Sequence, residues 1–164
     1  MAISQQYITL VNQLRTVDSR FDDISAAWDN VITAYTKPDH IGEDEEQALF
    51  DLANVCAGAY MRLTNFQVRV QNILAELHHK KNAGDSGKHS DPWHNFKQAE
   101  KLFLSAYQGV LLRMSDKHER YKNISAAPEL EQCNEALEDT LLDLCSYALI
   151  AICLLREEVT ACME

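Results

Sequence analysis

Apolar residues recur at alternating spacings of three and four along the first part of the chain. These positions are Tyr7, Leu10, Leu14, Val17, Phe21, Ile24, Trp28, Val31 and Tyr35. This spacing keeps one face of a helix apolar and is typical of packed amphipathic helices. It predicts a helix over residues 3–36, with a possible break near Asp18-Ser19 and an end at Lys37-Pro38.

The same spacing returns in a second segment, which follows the acidic run of residues 43–46. Its apolar positions are Leu49, Leu52, Cys56, Ala59, Leu63, Phe66, Val70, Ile73 and Leu77. The acidic run suits the positive N-terminal end of this helix. Because the connection between the two patterns is short, residues 1–79 are predicted to form an antiparallel helical hairpin.

The periodic pattern stops over residues 80–92, which predicts a polar loop. Shorter apolar patterns beyond it indicate helices near residues 96–107 and 110–123. Pro128 suits the first turn of a last helix that ends near residue 159. Its C-terminal half is apolar nearly all round, so we expect this helix to be the most buried. The predicted fold is an all-α bundle of four to five helices, forming one domain over residues 1–164.

Charge and composition narrow the classes of function. The formal net charge is −10, so binding of long nucleic acid is disfavoured, although a small nucleotide is not excluded. The longest apolar stretch is too short to span a bilayer. The five cysteines form no CxxC pair, and the first residues do not resemble a signal peptide. We therefore expect a protein of the cytoplasm with reduced thiols.

Several acidic residues lie along one side of the last predicted helix. Glu135, Asp139 and Asp143 are spaced four apart, so they share a face. Such a series is often a solvated surface. Asp143, however, lies within the apolar segment, and a carboxylate there needs a cation, a metal ion or several hydrogen bonds.

Basic residues line the preceding predicted helix. Arg113, Lys117 and Arg120 fall at i, i+4 and i+7, with Asp116 beside them. A row of this kind can hold a polyphosphate, although on spacing alone a set of surface salt bridges is the favoured explanation.

The second half of the chain resembles a known family. The segments that carry the resemblance are KKNAGDSGKHSDPWHNFKQAEKL, GVLLRMSDKHERYKN and EALEDTLLDLCSYALIAICL. They resemble phage and prophage nucleotide-modification-associated domain proteins, which are distantly similar to MazG and dimeric dUTPase-type all-α pyrophosphohydrolases. The resemblance covers about residues 80–155. It implies a helical bundle, often a dimer or tetramer, with a nucleotide site near the bundle centre.

Carried over by position, the resemblance assigns nucleotide-binding and metal-binding residues. The nucleotide-binding set is Lys81, Asn82, Trp93, Asn95, Phe96, Arg113, Asp116, Lys117 and Arg120, and the family's Asp-Pro-Trp-x-Asn-Phe segment also covers Asp91 and Pro92. Glu135, Asp139, Thr140 and Asp143 match its acidic helix. The Glu-Glu-x-x-Glu motif of the MazG type is incomplete here, because Leu49 stands at the third acidic position after Glu45-Glu46.

The leading hypothesis is a nucleotide pyrophosphohydrolase that uses Mg²⁺ or Mn²⁺. Glu135, Asp139 and Asp143 would hold the metal ion, with Asp116 or Glu45-Glu46 as further candidate ligands. Trp93 or Phe96 would stack on the base. An alternative is a non-catalytic protein that sequesters a cyclic or ADP-ribose-type signalling nucleotide. A third is a helical scaffold that dimerises or binds a partner helix. Each hypothesis involves a cytoplasmic protein, and the first two predict a nucleotide ligand and a homo-oligomer.

Overall fold

The computed structural model describes residues 3–15, 22–37, 42–64, 69–85, 91, 93–126 and 133–163. These residues form α-helices and one short 3-10 helix, and none of them lies in a strand. The prediction of an all-α fold is therefore confirmed. The elements in chain order are α1 (Ile3–Gln13), α2 (Asp22–Thr36), α3 (Glu43–Leu63), α4 (Val70–Asp85), α5 (His94–Lys97), the 3-10 helix (Gln98–Leu102), α6 (Ala106–Ser125) and α7 (Cys133–Met163).

Helix α7 forms the centre of the packing. It lies against α3 and α6 over much of its length, and α1 packs on it as well. From Leu141 to Leu155 nearly every side chain is buried. Burial of apolar area on this scale is the main stabilising contribution to such a bundle. The prediction that the last helix is the most buried is confirmed.

The long helix predicted over residues 3–36 is instead two helices, α1 and α2. Side chains from other helices bond to the backbone where α1 ends. The N–H of Arg15 donates to Asn54 Oδ1 on α3 at 2.8 Å, and the side-chain amide of Gln71 on α4 donates to the carbonyl of Leu14 at 3.3 Å. These bonds satisfy groups that a helix terminus would otherwise leave open. The suggested break at Asp18-Ser19 lies outside the described residues.

The second predicted helix is also divided, into α3 and α4. Helix α3 ends at Leu63, where the hydroxyl of Thr64 donates to the carbonyl of Tyr60 at 3.0 Å. Helix α4 then continues to Asp85, so the first part of the predicted polar loop is helical. Lysine and alanine favour helices, which explains why polarity alone did not distinguish helix from loop at residues 80–85.

The segment before α6 is compact and sharply turned. The helix predicted near residues 96–107 is short, because α5 passes into the 3-10 helix and Phe103 adopts a left-handed conformation with φ of 62°. Helix α6 then begins with a capping box between Ser105 and Gln108. Gly109 lets this segment approach closely, since a Cβ placed on it would lie 2.7 Å from the Cβ of Ala99.

The helix predicted over residues 110–123 is confirmed and starts one turn earlier than expected. Within the described residues, no helix combines the length and apolar character that crossing a bilayer requires.

Candidate functional site

Helices α6 and α7 run antiparallel, and their polar residues meet along one line that we call the α6–α7 seam. It consists of Arg113, Lys117 and Arg120 on α6 and of Glu135, Glu138, Asp139 and Asp143 on α7. The order of contacts shows the direction. The N–H of Tyr107 lies 3.4 Å from Glu158 Oε1 at one end, Lys117 contacts Asp143 near the middle, and Arg120 shares a groove with Asp139 at the other end.

A partly buried ion pair occupies the middle of the seam. Lys117 Nζ lies 2.6 Å from Asp143 Oδ2, and the two side chains are 24% and 11% exposed. The neighbours of Asp143 along α7 are leucines that pack in the core. Of the partners that the sequence left open for this carboxylate (a cation, a metal ion or several hydrogen bonds), the structure supplies a cation, the ammonium group of Lys117.

An open groove lies at one end of the seam, over the first turns of α7. It is lined by Arg120, Glu135, Glu138, Asp139 and apolar atoms, and its volume is about 610 Å³. Three carboxylates and one guanidinium give it a negative balance. The positive end of α7 lies nearby and reduces the mutual repulsion of these carboxylates.

An aromatic contact extends the seam in the opposite direction. The guanidinium carbon of Arg113 lies 5.6 Å from the centre of the Phe96 ring, and Phe96 meets Tyr147 edge to face at 6.0 Å. Tyr147 follows Asp143 by one helical turn. Tyr147 is not among the residues predicted from the sequence, although its i+4 spacing from Asp143 is a signal that could have identified it.

Trp93 does not lie on this surface. Its ring is 1% exposed and packs 5.3 Å from His78 and 6.2 Å from Tyr7, measured between ring centres. Stacking of Trp93 on a base would require this cluster to open. Phe96 is half-buried beside Arg113, and it is the better placed of the two rings predicted to stack.

The remaining predicted residues are more scattered. Asp91 caps the turn before α5, because Oδ1 accepts from the N–H of Trp93 at 2.9 Å and Oδ2 pairs with Lys97 at 2.9 Å. Its pKa is lowered by these contacts, although burial opposes them. Asn95 lies half-buried on α5, and Asp116 is exposed on α6. Lys81 and Asn82 lie on α4, and their side chains are outside the described residues, as is Pro92.

The carboxylates do not form a cage for a free metal ion. Asp143 is paired with Lys117, whereas Glu135 and Asp139 are exposed. Among the described residues, no group of three or more His, Cys, Asp or Glu side chains is arranged to hold a metal. Mg²⁺ in nucleotide sites, however, needs only one or two carboxylates besides the phosphates and water.

Glu45 and Glu46 lie far from the groove. Arg156 pairs with Glu46 through two bonds, of 2.9 Å and 2.5 Å. Arg156 follows Asp143 by 13 residues on one helix, which corresponds to about 20 Å at the usual rise per residue. The suggestion that Glu45-Glu46 completes the metal site of the seam is wrong in this structure.

Comparisons with protein-family models, with curated proteins and with solved structures give no match for this chain. The fold and the seam are therefore the basis for any functional conclusion.

Proposed function

We propose that this protein binds a nucleoside polyphosphate as its Mg²⁺ complex along the α6–α7 seam. One observation carries the proposal: the basic row of α6 faces the acidic row of α7, with Lys117 and Asp143 in direct contact. Arginine and lysine groups in a row bind phosphate oxygens through charge-assisted hydrogen bonds. The adjacent carboxylates would otherwise repel the phosphates, which is why the ligand is expected to carry a divalent cation.

Each part of the seam has a distinct role in this proposal. Arg120 and Lys117 neutralise charge on the phosphates, and Asp139 with Glu135 would hold the Mg²⁺ ion. Phe96, with Arg113 over its ring, offers a face for the base. Binding of phosphate competes with Asp143 for Lys117, so the ion pair is expected to loosen when the ligand binds.

A calorimetric titration tests this proposal. The full chain would be titrated with each common ribo- and deoxyribonucleoside triphosphate, with Mg²⁺ present and with the ion chelated. We expect saturable binding of at least one nucleotide that weakens when Mg²⁺ is removed. Arg120→Gln should weaken it about tenfold or more, because a hydrogen bond to a charged group contributes about 1.5–3 kcal/mol.

Arg69→Gln is the matched control. Arg69 is exposed just before α4, which packs on α1 and α3, and the substitution removes the same charge. It should leave affinity within about twofold, the range of screened long-range charge effects. Equal losses in the two variants would contradict a site at the seam. Binding by none of the nucleotides would instead favour the helical scaffold.

Cleavage of the nucleotide to a monophosphate and pyrophosphate is the second candidate function. The observation that favours it is the presence of Glu135 and Asp139 in the same groove as Arg120. A Mg²⁺ ion held there would polarise phosphoryl oxygens and lower the pKa of an attacking water. Chromatography of the bound nucleotide after long incubation distinguishes the two functions. Intact ligand indicates sequestration, whereas pyrophosphate that disappears in Asp139→Asn indicates hydrolysis.

A further inference from the structure

A second cavity lies where α2, α3, α6 and α7 meet, and we call it the tyrosine–glutamate cavity. Its volume is about 320 Å³, and its polar lining consists of Tyr35, Glu45, Ser105, Tyr107, Gln108 and Glu158. Glu158 follows Asp143 by 15 residues on α7, so this cavity is about 22 Å from the ion pair of the seam. It plays no part in the function proposed above.

Two of the polar residues that line this cavity are acidic, Glu45 and Glu158. Glu45 is 1% exposed, and Glu158 accepts a hydrogen bond from the N–H of Tyr107 at 3.4 Å. Among the described residues that line the cavity, none is a lysine, arginine or histidine. The N-terminal turns of α3 and α6 offset part of this charge, because each helix has its positive end here.

Tyr107 supplies an independent observation. This residue is 3% exposed, and its hydroxyl oxygen has no hydrogen-bond partner among the described residues. Burial raises the pKa of Tyr107, and the nearby charges of Glu45 and Glu158 raise it further. Tyr107 lines the same cavity as these two carboxylates. A buried polar group without a partner is costly, and in native proteins it commonly marks the place of a missing ligand or water.

The aromatic rings favour a particular class of ligand. The centres of Tyr35 and Tyr107 are 6.2 Å apart, with the rings at 64°. Tyrosine faces attract organic cations, and carboxylates attract them more strongly. A primary ammonium group has three donors, and the cavity offers two carboxylates and the Tyr107 hydroxyl as acceptors.

We propose that the tyrosine–glutamate cavity binds the terminal ammonium group of an aliphatic diamine or polyamine. Its volume equals that of about ten water molecules in the liquid, which accommodates the ammonium group and a short alkyl chain. A bare divalent cation suits the cavity less well, because such ions need more oxygen ligands and gain nothing from tyrosine rings.

Calorimetric titration of the full chain with putrescine tests this proposal. Butanediol has nearly the same length without charge and is the control ligand. We expect saturable binding of putrescine and none of butanediol. Glu158→Gln should weaken binding about tenfold, because it removes one charged acceptor. Glu157→Gln, one residue earlier and paired with Lys97 instead, should leave it unchanged.

Tyr107→Phe is a second test, in which the melting temperature and the affinity for putrescine are both measured. Because the hydroxyl has no hydrogen-bond partner within the described part of the chain, its removal should leave the melting temperature unchanged or raise it. The same variant should bind putrescine several-fold more weakly. No saturable binding by the wild type, equal binding of butanediol, or similar affinities for Glu157→Gln and Glu158→Gln would overturn the proposal. A lower melting temperature for Tyr107→Phe would also overturn it, since the hydroxyl would then have a structural role.

Discussion

Replacing Lys117 with methionine tests the central contact of the α6–α7 seam. Methionine keeps most of the apolar stem of the side chain and removes the ammonium group. Asp143 is 8% exposed. In the variant, its carboxylate would lose the ammonium group that lies 2.6 Å from it. The variant therefore isolates the electrostatic contribution of this pair.

The burial of the pair sets the expected magnitude. Exposed ion pairs contribute about 0–1 kcal/mol, whereas breaking a fully buried pair costs about 3–5 kcal/mol. With side chains 24% and 11% exposed, this pair lies between the two cases. We expect Lys117→Met to lower the free energy of unfolding by about 2–3 kcal/mol.

Asp143→Asn should cost less, about 1 kcal/mol, because the flexible Lys117 side chain can extend its ammonium group into water. The double variant should lose less stability than the two single losses added together, since it removes both charges of the pair. Urea unfolding followed by circular dichroism would give the free energy of unfolding of the wild type, the two single variants and the double variant. Losses below about 0.5 kcal/mol in both single variants, or additive losses, would refute the conclusion that this pair is shielded from water.

Three further predictions concern the core. His78 has its pKa lowered to about 4, mainly by burial, so the folded state favours the neutral ring. The stability gained by keeping this ring neutral is fully present above a pH of about 6.5 and is lost as the pH falls towards 4. In acid unfolding, His78→Phe should therefore lose less stability over that pH range than the wild type. Tyr7→Phe removes a buried hydrogen bond of 3.0 Å to Ser146 and should cost about 1 kcal/mol in urea unfolding, less in a Ser146→Ala background. Gly109→Ala should lower the melting temperature despite the higher helix propensity of alanine, and Ala99→Gly should restore it, because the two Cβ atoms would lie 2.7 Å apart.

The helices with strong local signals could be predicted from sequence. Helix α7 has a continuous apolar segment and α6 has a clear apolar face, so both helices were predictable, with ends that differ from the structure by about one turn. The predicted start of the last helix at Pro128 lies outside the described residues. It was also predictable that Asp143 needs polar partners, because a carboxylate between leucines is costly to bury alone. The sequence did not show which of a cation, a metal ion or several hydrogen bonds would supply them.

Features that depend on tertiary contacts could not be predicted in the same way. The alternating spacing of apolar residues does not show that Asn54 and Gln71 bond to the backbone at the end of α1. It also does not show that Trp93 packs against Tyr7 and His78, far along the chain. Nor does it reveal that Glu45 meets Glu158 in one cavity. In each case the partner is set by how helices pack and not by the local pattern.

A crystal grown with a non-hydrolysable nucleoside triphosphate analogue and Mn²⁺ tests the central claim most directly. Mn²⁺ replaces Mg²⁺ on oxygen ligands and is located by its anomalous scattering. We predict phosphates beside Arg120 and Lys117, and a Mn²⁺ peak in contact with Asp139 or Glu135. Nucleotide bound elsewhere on the protein, or a seam without ligand at saturating nucleotide concentration, would contradict the account.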